Sequence, residues 1–321
     1  MEPCIYLHVE ESGNPDGIPV VFVHGGPGWH SEQSDHQWFD PDKYRIILFH
    51  QRGTGNSYPT MFDLETPADR FKEVTLDTLV EDLETLRKQL EVKKWLVFGG
   101  SWGSTLSLAY AEKYSGSCFG LTLRGIYLAT NEENYAFFKG LSLEDTVVKK
   151  LLHYPALKGL DVQLDNPASI YAAYKTLIVD QDDPIAAKIW AKFEMYVDEP
   201  QNAANSAEIL DDSIVATPEE RSTAFWQTLL FEKIPRTTNL LDVERLEHLK
   251  GMKIRIVQGG SDNLCQHTVA DMLTEGLTKA GAKVMLKKVP EGSHSAYDPL
   301  ITHALVQATD AFARELSNLT D

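Results

Sequence analysis

The chain has 321 residues, 43% of them hydrophobic, enough for a sizeable core. Its 30 Lys and Arg stand against 47 Asp and Glu, a formal net charge of −17, which argues against nucleic acid and anionic membrane surfaces as partners. No apolar run approaches the roughly 18 residues of a membrane-spanning helix, and Met1-Glu2-Pro3-Cys4 lacks the basic and apolar regions of a secretory signal, so a cytoplasmic protein is expected.

Apolar runs at 5–9 and 18–23 flank the turn cluster Gly13-Asn14-Pro15-Asp16-Gly17 and read as an opening hairpin or meander. Further strand-like runs follow at 44–49, 94–98, 120–123, 253–257 and 283–289, each ending at glycine or a polar turn. Runs this continuously apolar suit strands buried on both faces of a parallel sheet. Between them, Leu79, Leu83, Leu86 and Leu90 recur at helical spacing, with Thr75 and Asp77 as cap residues. From about 130 to 242 strand signals stop, and a helical pattern is broken by Pro155, Pro167, Pro184, Pro200 and Pro218. In that stretch Pro184 suits a first helical turn, and Ile185, Ile189, Trp190 and Phe193 share one face. The expected architecture is α/β: a mostly parallel doubly wound sheet formed by 1–129 and 243–321, with 130–242 inserted as a helical cap domain.

Gly99-Gly100-Ser101-Trp102-Gly103 lies between the run at 94–98 and a helix-like stretch at 104–114. A serine on a tight strand-to-helix turn presents its hydroxyl above the sheet, with the next backbone N–H aimed at the same small volume. Serine oxygen needs a base and an orienting third group to act as a nucleophile. On this fold the chain order is serine, acid, histidine. Asp262 follows the strand at 253–257 and His294 follows the strand at 283–289, both at the sheet edge where ligands bind. The expected triad is Ser101, Asp262 and His294. Two donors should stabilise the oxyanion: the Trp102 N–H, and Gly26 in the His24-Gly25-Gly26-Pro27-Gly28 loop after the first deep strand. His24 is read as a packing and hydrogen-bonding residue beneath that loop, and Arg52 and Arg124 as members of structural ion pairs. His30 and His36 read as surface residues. No HExxH or paired CxxC spacing occurs, so neither a metal nor a cofactor is expected. The odd count of three cysteines (Cys4, Cys118, Cys265) fits reduced thiols.

Four segments together resemble the proline iminopeptidases, serine aminopeptidases of the α/β-hydrolase fold with a helical cap. They are His24 to Gly28, Gln51-Arg52-Gly53-Thr54-Gly55 with Ser57, residues 95–104, and Leu123-Arg124-Gly125. The resemblance implies cap helices closing over the serine and cap carboxylates that bind the substrate's free α-amino group. It assigns Glu194 to that role, with Trp190 one turn before it on the same helix face. The chain departs from the family at two places. His50 stands where an Asp precedes Gln-Arg-Gly, and Gln227 stands where a second cap carboxylate is expected. An amide cannot neutralise an ammonium as a carboxylate does. Cys265 reads as a buried small residue near the acid, where the family often has a cysteine. The aromatic cap residues Tyr135, Phe137, Phe138, Tyr171, Tyr174 and Trp226 read as core, with one or two walling an apolar pocket.

The expected activity is release of an N-terminal residue, proline or a similar one, from a small peptide through an acyl-enzyme. An esterase, lactonase or amidase of small molecules is the second reading, motivated by Gln227. A binding protein on a hydrolase fold is the third. Composition and motifs leave the oligomeric state open.

Overall fold

A computed structural model describes residues 4–61, 70–139, 141–160, 162–198 and 203–317. Seven strands form one sheet in the order β1-β3-β2-β4-β5-β6-β7. They are β1 (Val9–Gly13), β2 (Ile18–Val23), β3 (Tyr44–Phe49), β4 (Trp95–Ser101), β5 (Cys118–Ile126), β6 (Lys253–Gly259) and β7 (Lys283–Val289). β1 pairs antiparallel with β3, and every other pairing is parallel.

The central strands alternate between two cores because successive side chains leave a strand on opposite faces. Val21, Val23, Ile47, Phe49, Trp95 and Val97 pack on one side, against α1 (Leu76–Gln89), α2 (Trp102–Lys113) and α10 (His267–Lys279). Val20, Phe22, Ile46, Leu48, Leu96 and Phe98 pack on the other, against α11 (Pro299–Ser317). Each such side chain, fully buried, contributes about 1.5–3 kcal/mol of transfer free energy. The leucine spacing in α1 is thus the imprint of one face of the sheet, and Thr75 caps that helix as its sequence suggests.

The first expected strand is displaced. Residues 5–8 carry only an isolated bridge, Tyr6 to Tyr58, and the regular strand is Val9–Gly13. This edge strand is mostly exposed on both faces, so its polar sequence carries no apolar run.

Between β5 and β6 the described elements are helical: α3 (Asn131–Ala136), α4 (Thr146–His153), α5 (Pro167–Lys175), α6 (Pro184–Asp198), α7 (Ala203–Leu210), α8 (Pro218–Thr237) and α9 (Val243–Glu247). Pro167, Pro184 and Pro218 open helices and Pro155 opens a 3-10 turn, where a missing N–H costs nothing. Pro200 lies outside the described residues. Helix α8 sits directly on the 24–28 loop: Ser222 Oγ donates to Gly28 O at 2.8 Å and Gln227 Nε2 to Gly26 O at 3.3 Å. No helix among the described residues is long and apolar enough to cross a membrane.

Candidate active site

Ser101 ends β4 and caps α2 with φ 55° and ψ −127°. A non-glycine residue in such a region stores about 1–3 kcal/mol of strain, which the surroundings must hold. They hold it by close approach. A Cβ on Gly103 would lie 2.1 Å from Val23 O, and one on Gly99 would lie 2.3 Å from Gly103 O. Only glycine lets α2 start this close to the sheet. Ser104 Oγ donates to Ser101 O at 2.7 Å and accepts from Tyr127 N at 3.1 Å, fixing the turn to the neighbouring strand end.

His24 is fully buried and acts as sequence suggests, as a brace. Its Nε2 accepts from Gln51 N at 2.9 Å, and Gln51 Nε2 donates to His24 O at 2.9 Å. Gln51 Oε1 in turn accepts from Trp102 Nε1 at 2.9 Å. Three separate sequence motifs therefore form one hydrogen-bonded unit that ties the first loop to the serine turn. Burial pushes the His24 imidazole down to about 3, which keeps it neutral and able to accept. His50 is also held low, near 4, by burial and by the rings of His8 and His30; its Nδ1 accepts from Asn56 N and its Nε2 donates to Ser31 O. A carboxylate there could not donate to Ser31, which gives His50 a local reason. His30 is half-buried and lines the central cavity, and half-buried His36 lies within 3.2 Å of Ser12 Oγ; neither is a plain surface residue.

Asp262 and His294 meet across the ends of β6 and β7. His294 Nδ1 lies 3.0 Å from both Asp262 carboxylate oxygens. Asp262 Oδ1 also accepts from Leu264 N at 3.0 Å and Cys265 N at 2.7 Å. Burial acts to raise the Asp262 pKa, but the charge and hydrogen bond of His294, the Cys265 N–H and the Arg124 charge bring it below the ordinary carboxylate range. Gln258, fully buried, donates to Cys265 O and accepts from Ile126 N, holding the acid's loop to β5. Nothing in the sequence singled out Gln258, a buried polar side chain at a strand end with no motif around it; Ser104 lay inside the serine motif, but its role in fixing the turn carried no signal of its own.

Ser101 and His294 line one cavity of about 500 Å³, together with Gly25, Gly26, Arg124, Glu194 and others. Cys265 is buried, as expected, and burial pushes its thiol far above the usual thiol range. Asp262, Cys265 and His294 offer donor atoms within 4.8 Å of one another. Because Asp262 and His294 already bond each other and burial keeps the thiol protonated, this trio reads as a hydrogen-bonded Asp–His pair beside a buried thiol.

Glu194, Gln227 and Trp190 are brought together. Gln227 Nε2 donates to Glu194 Oε2 at 2.6 Å, and Gln227 Oε1 accepts from Trp190 Nε1 at 2.9 Å. Burial raises the Glu194 pKa, while the Gln227 hydrogen bond and the His294 charge oppose that. Beside Glu194 lies a small side pocket walled by Phe137, Phe138, Tyr171, Trp190, Phe193 and Phe231. Phe137, Phe138 and Tyr171 are pocket walls, more than the one or two expected, whereas Tyr174 and Trp226 are core. Arg52 forms its ion pair, bidentate to Asp82 at 2.6 and 2.5 Å. Arg124 does not: among the described residues its hydrogen bonds go to His294 alone.

A strained serine at a strand-to-helix turn, an Asp–His pair at later strand ends and a parallel sheet between helices define an α/β hydrolase, and residues 18–299 match that family, described as alpha/beta hydrolase fold. A proline iminopeptidase of Arabidopsis thaliana is 36% identical over 95% of this chain and 76% of its own. A probable proline iminopeptidase of Leptolyngbya boryana is 36% identical over 99% and 95%, and the Neisseria gonorrhoeae proline iminopeptidase 34% identical over 95% and 91%. The chain belongs to the proline iminopeptidase family of α/β hydrolases. In fold it also resembles a proline iminopeptidase-related protein from Thermus thermophilus (TM-score 0.57, 18% identity, 96% of this chain and 93% of that one). An esterase from Exiguobacterium antarcticum is as similar (TM-score 0.56, 17% identity, 97% and 95%).

Proposed function

We propose that the chain is a serine aminopeptidase that releases N-terminal proline, or a similar small residue, from short peptides. Ser101 attacks the carbonyl, His294 takes its proton, and Asp262 fixes the imidazole tautomer and stabilises the imidazolium. The N–H groups of Trp102 and Gly26 receive the oxyanion. His294 then protonates the leaving amine, and water releases the acyl group.

The observation that carries this reading is the position of Glu194. It lines the same cavity as Ser101 and His294 and also the aromatic side pocket. An exopeptidase that counts one residue from the N-terminus needs an anion at a fixed reach from its nucleophile, and a carboxylate shielded from water binds an ammonium strongly. The aromatic walls suit an apolar ring. With room for about one water, about 20 Å³, that side pocket takes a ring only when its walls part. The helices of 130–242 act as the cap that closes the cavity. Three unpaired cysteines suit a reducing, cytoplasmic setting.

The test is steady-state kinetics on prolyl and other aminoacyl arylamides, on N-acetylprolyl arylamide and on simple p-nitrophenyl esters. The expected result is cleavage of prolyl arylamide that is lost on N-acetylation. Ester hydrolysis with every aminoacyl arylamide left intact would replace this reading by an esterase or lactonase.

A further inference from the structure

We propose that Arg124 binds the C-terminal carboxylate of the leaving group, so that the preferred substrates are dipeptides with a free carboxylate. This rests on the aminopeptidase reading above.

Arg124 lies one strand over from the serine, where the β4–β5 register pairs it with Gly100. Its guanidinium folds over that glycine: a Cβ at position 100 would stand 2.6 Å from Nη2 and 2.7 Å from Nε. The glycine before the serine is therefore space for a cation. Arg124 is also the one Lys or Arg among the described residues lining the cavity.

The other arginines in this protein that lie against the core have carboxylate partners. Arg52 pairs with Asp82, Arg87 with Glu84, Arg245 with Glu112 and Arg255 with Glu315. Among the described residues Arg124 has none. Its Nη1 donates to His294 O at 2.5 Å and stands 3.5 Å from His294 Nε2. Its Nε is buried without a partner, and Nη2 makes no hydrogen bond to a described residue. A guanidinium has five donors in a planar fork suited to a carboxylate. The Asp262 charge acts on it through space without forming an ion pair, and the Asp262 carboxylate is already bonded to His294. Withdrawing a guanidinium from water without a paired carboxylate is costly, and a substrate carboxylate would supply that pair.

Position decides which carboxylate. Arg124 flanks the imidazole that hands a proton to the departing amine. In a dipeptide the terminal carboxylate is joined to that nitrogen through a single Cα. The cavity thus offers Glu194 to the ammonium and Arg124 to the carboxylate, with Ser101 lining the same space. The remaining acidic lining points the other way. Asp35 accepts from Tyr297 and from Glu32 N, and Glu220 pairs with Lys192, but together with Glu32 and Asp198 they make the cavity acidic on balance. If that field dominated, amides would be preferred over acids.

The experiment compares kcat/KM for Pro-Ala and Pro-Ala-amide, with prolyl arylamide as the reference lacking a carboxylate. The wild type should favour the acid by about tenfold or more. Arg124→Met should bring the ratio near one, and Arg124→Lys should keep part of it. A role confined to supporting His294 would lower both substrates alike and leave the ratio unmoved. A wild-type ratio of one or below, or a ratio unchanged in Arg124→Met, overturns the proposal while cleavage of prolyl arylamide still upholds the aminopeptidase. Failure to cleave any aminoacyl substrate overturns both. Should Arg124→Met not fold, product inhibition decides: alanine should inhibit wild-type arylamide hydrolysis more strongly than alaninamide, less so in Arg124→Lys, and equal inhibition refutes the carboxylate site.

Discussion

The sheet edge and the helices between β5 and β6 hold their functional groups by different means. At the sheet edge the backbone does the positioning. Ser101 is forced to φ 55°, glycines 99 and 103 sit where any side chain would meet main-chain oxygens, and His24, Gln51 and Trp102 lock three loops together. In the helical region side chains position side chains: Glu194 is aimed by the Gln227 amide, which is itself held by Trp190 and Gly26. On the proposed function, chemistry depends on geometry that tolerates few substitutions, whereas recognition depends on one hydrogen-bonded pair among aromatic rings. The two should separate cleanly under mutation.

The strongest test of that separation is Ser101→Ala. Hydrolysis of both arylamide and ester should fall by about 10⁴-fold or more, with circular dichroism and melting temperature almost unchanged. Retention of ester hydrolysis would place the nucleophile elsewhere and collapse the comparison. Glu194→Gln should act on recognition alone. The charge-assisted bond to an ammonium is lost, so kcat/KM for prolyl arylamide should drop by about 10²-fold, while an ester without an amine should change by less than about threefold on the same reasoning. An equal loss on both substrates would mean that Glu194 serves the chemistry.

What was legible in the sequence follows the same division. A backbone requirement leaves glycines, prolines and a serine at fixed spacing, so the serine turn, the His24 loop and the order Ser101, Asp262, His294 could be read directly. Glu194 was reached only through resemblance, since a carboxylate on an amphipathic helix has no signature of its own. Gln258 and the missing ion pair of Arg124 were illegible for a related reason. What each side chain meets is set by distant strands and loops, and no local pattern records that. The polar edge strand β1 was misplaced because exposure on both faces removes the alternation that marks a strand.

The brace beneath the first loop offers a pH test of the sheet-edge half. His24 titrates near 3 in the folded protein, below its ordinary 6.5, so the folded state prefers the neutral ring. That preference contributes fully above about pH 6.5 and is lost as pH falls toward 3. For one such group the loss between pH 7 and pH 5 is about 2 kcal/mol. Urea unfolding at the two pH values should register it, and the His24 ring resonance, assigned with His24→Gln, should stay at its neutral position down to about pH 4. A ring that titrates near 6.5 in the folded enzyme would remove the brace from the account.

The smallest expected effect lies away from both regions and has the opposite sign. Glu112, near the C-terminus of α2, is buried against Arg245 of α9, with Oε1 unpartnered. Burial raises its pKa to about 7 despite the opposing pull of Arg245. An acid raised above its ordinary 4.5 binds its proton more tightly when folded, so its contribution is complete at low pH and drains away as pH rises through 7. Between pH 6 and pH 8 the loss is about 1 kcal/mol. Glu112→Gln, which keeps the shape and cannot ionise, should flatten the stability profile over that interval and leave kcat/KM for arylamide and ester unchanged, because neither the serine turn nor the Glu194 pair touches it. An unaltered slope would mean that Arg245 keeps Glu112 ionised throughout. A kinetic change would mean that strain at the far end of α2 reaches Ser101 at its N-terminus, and the two-region division would have to give way to a single coupled helix.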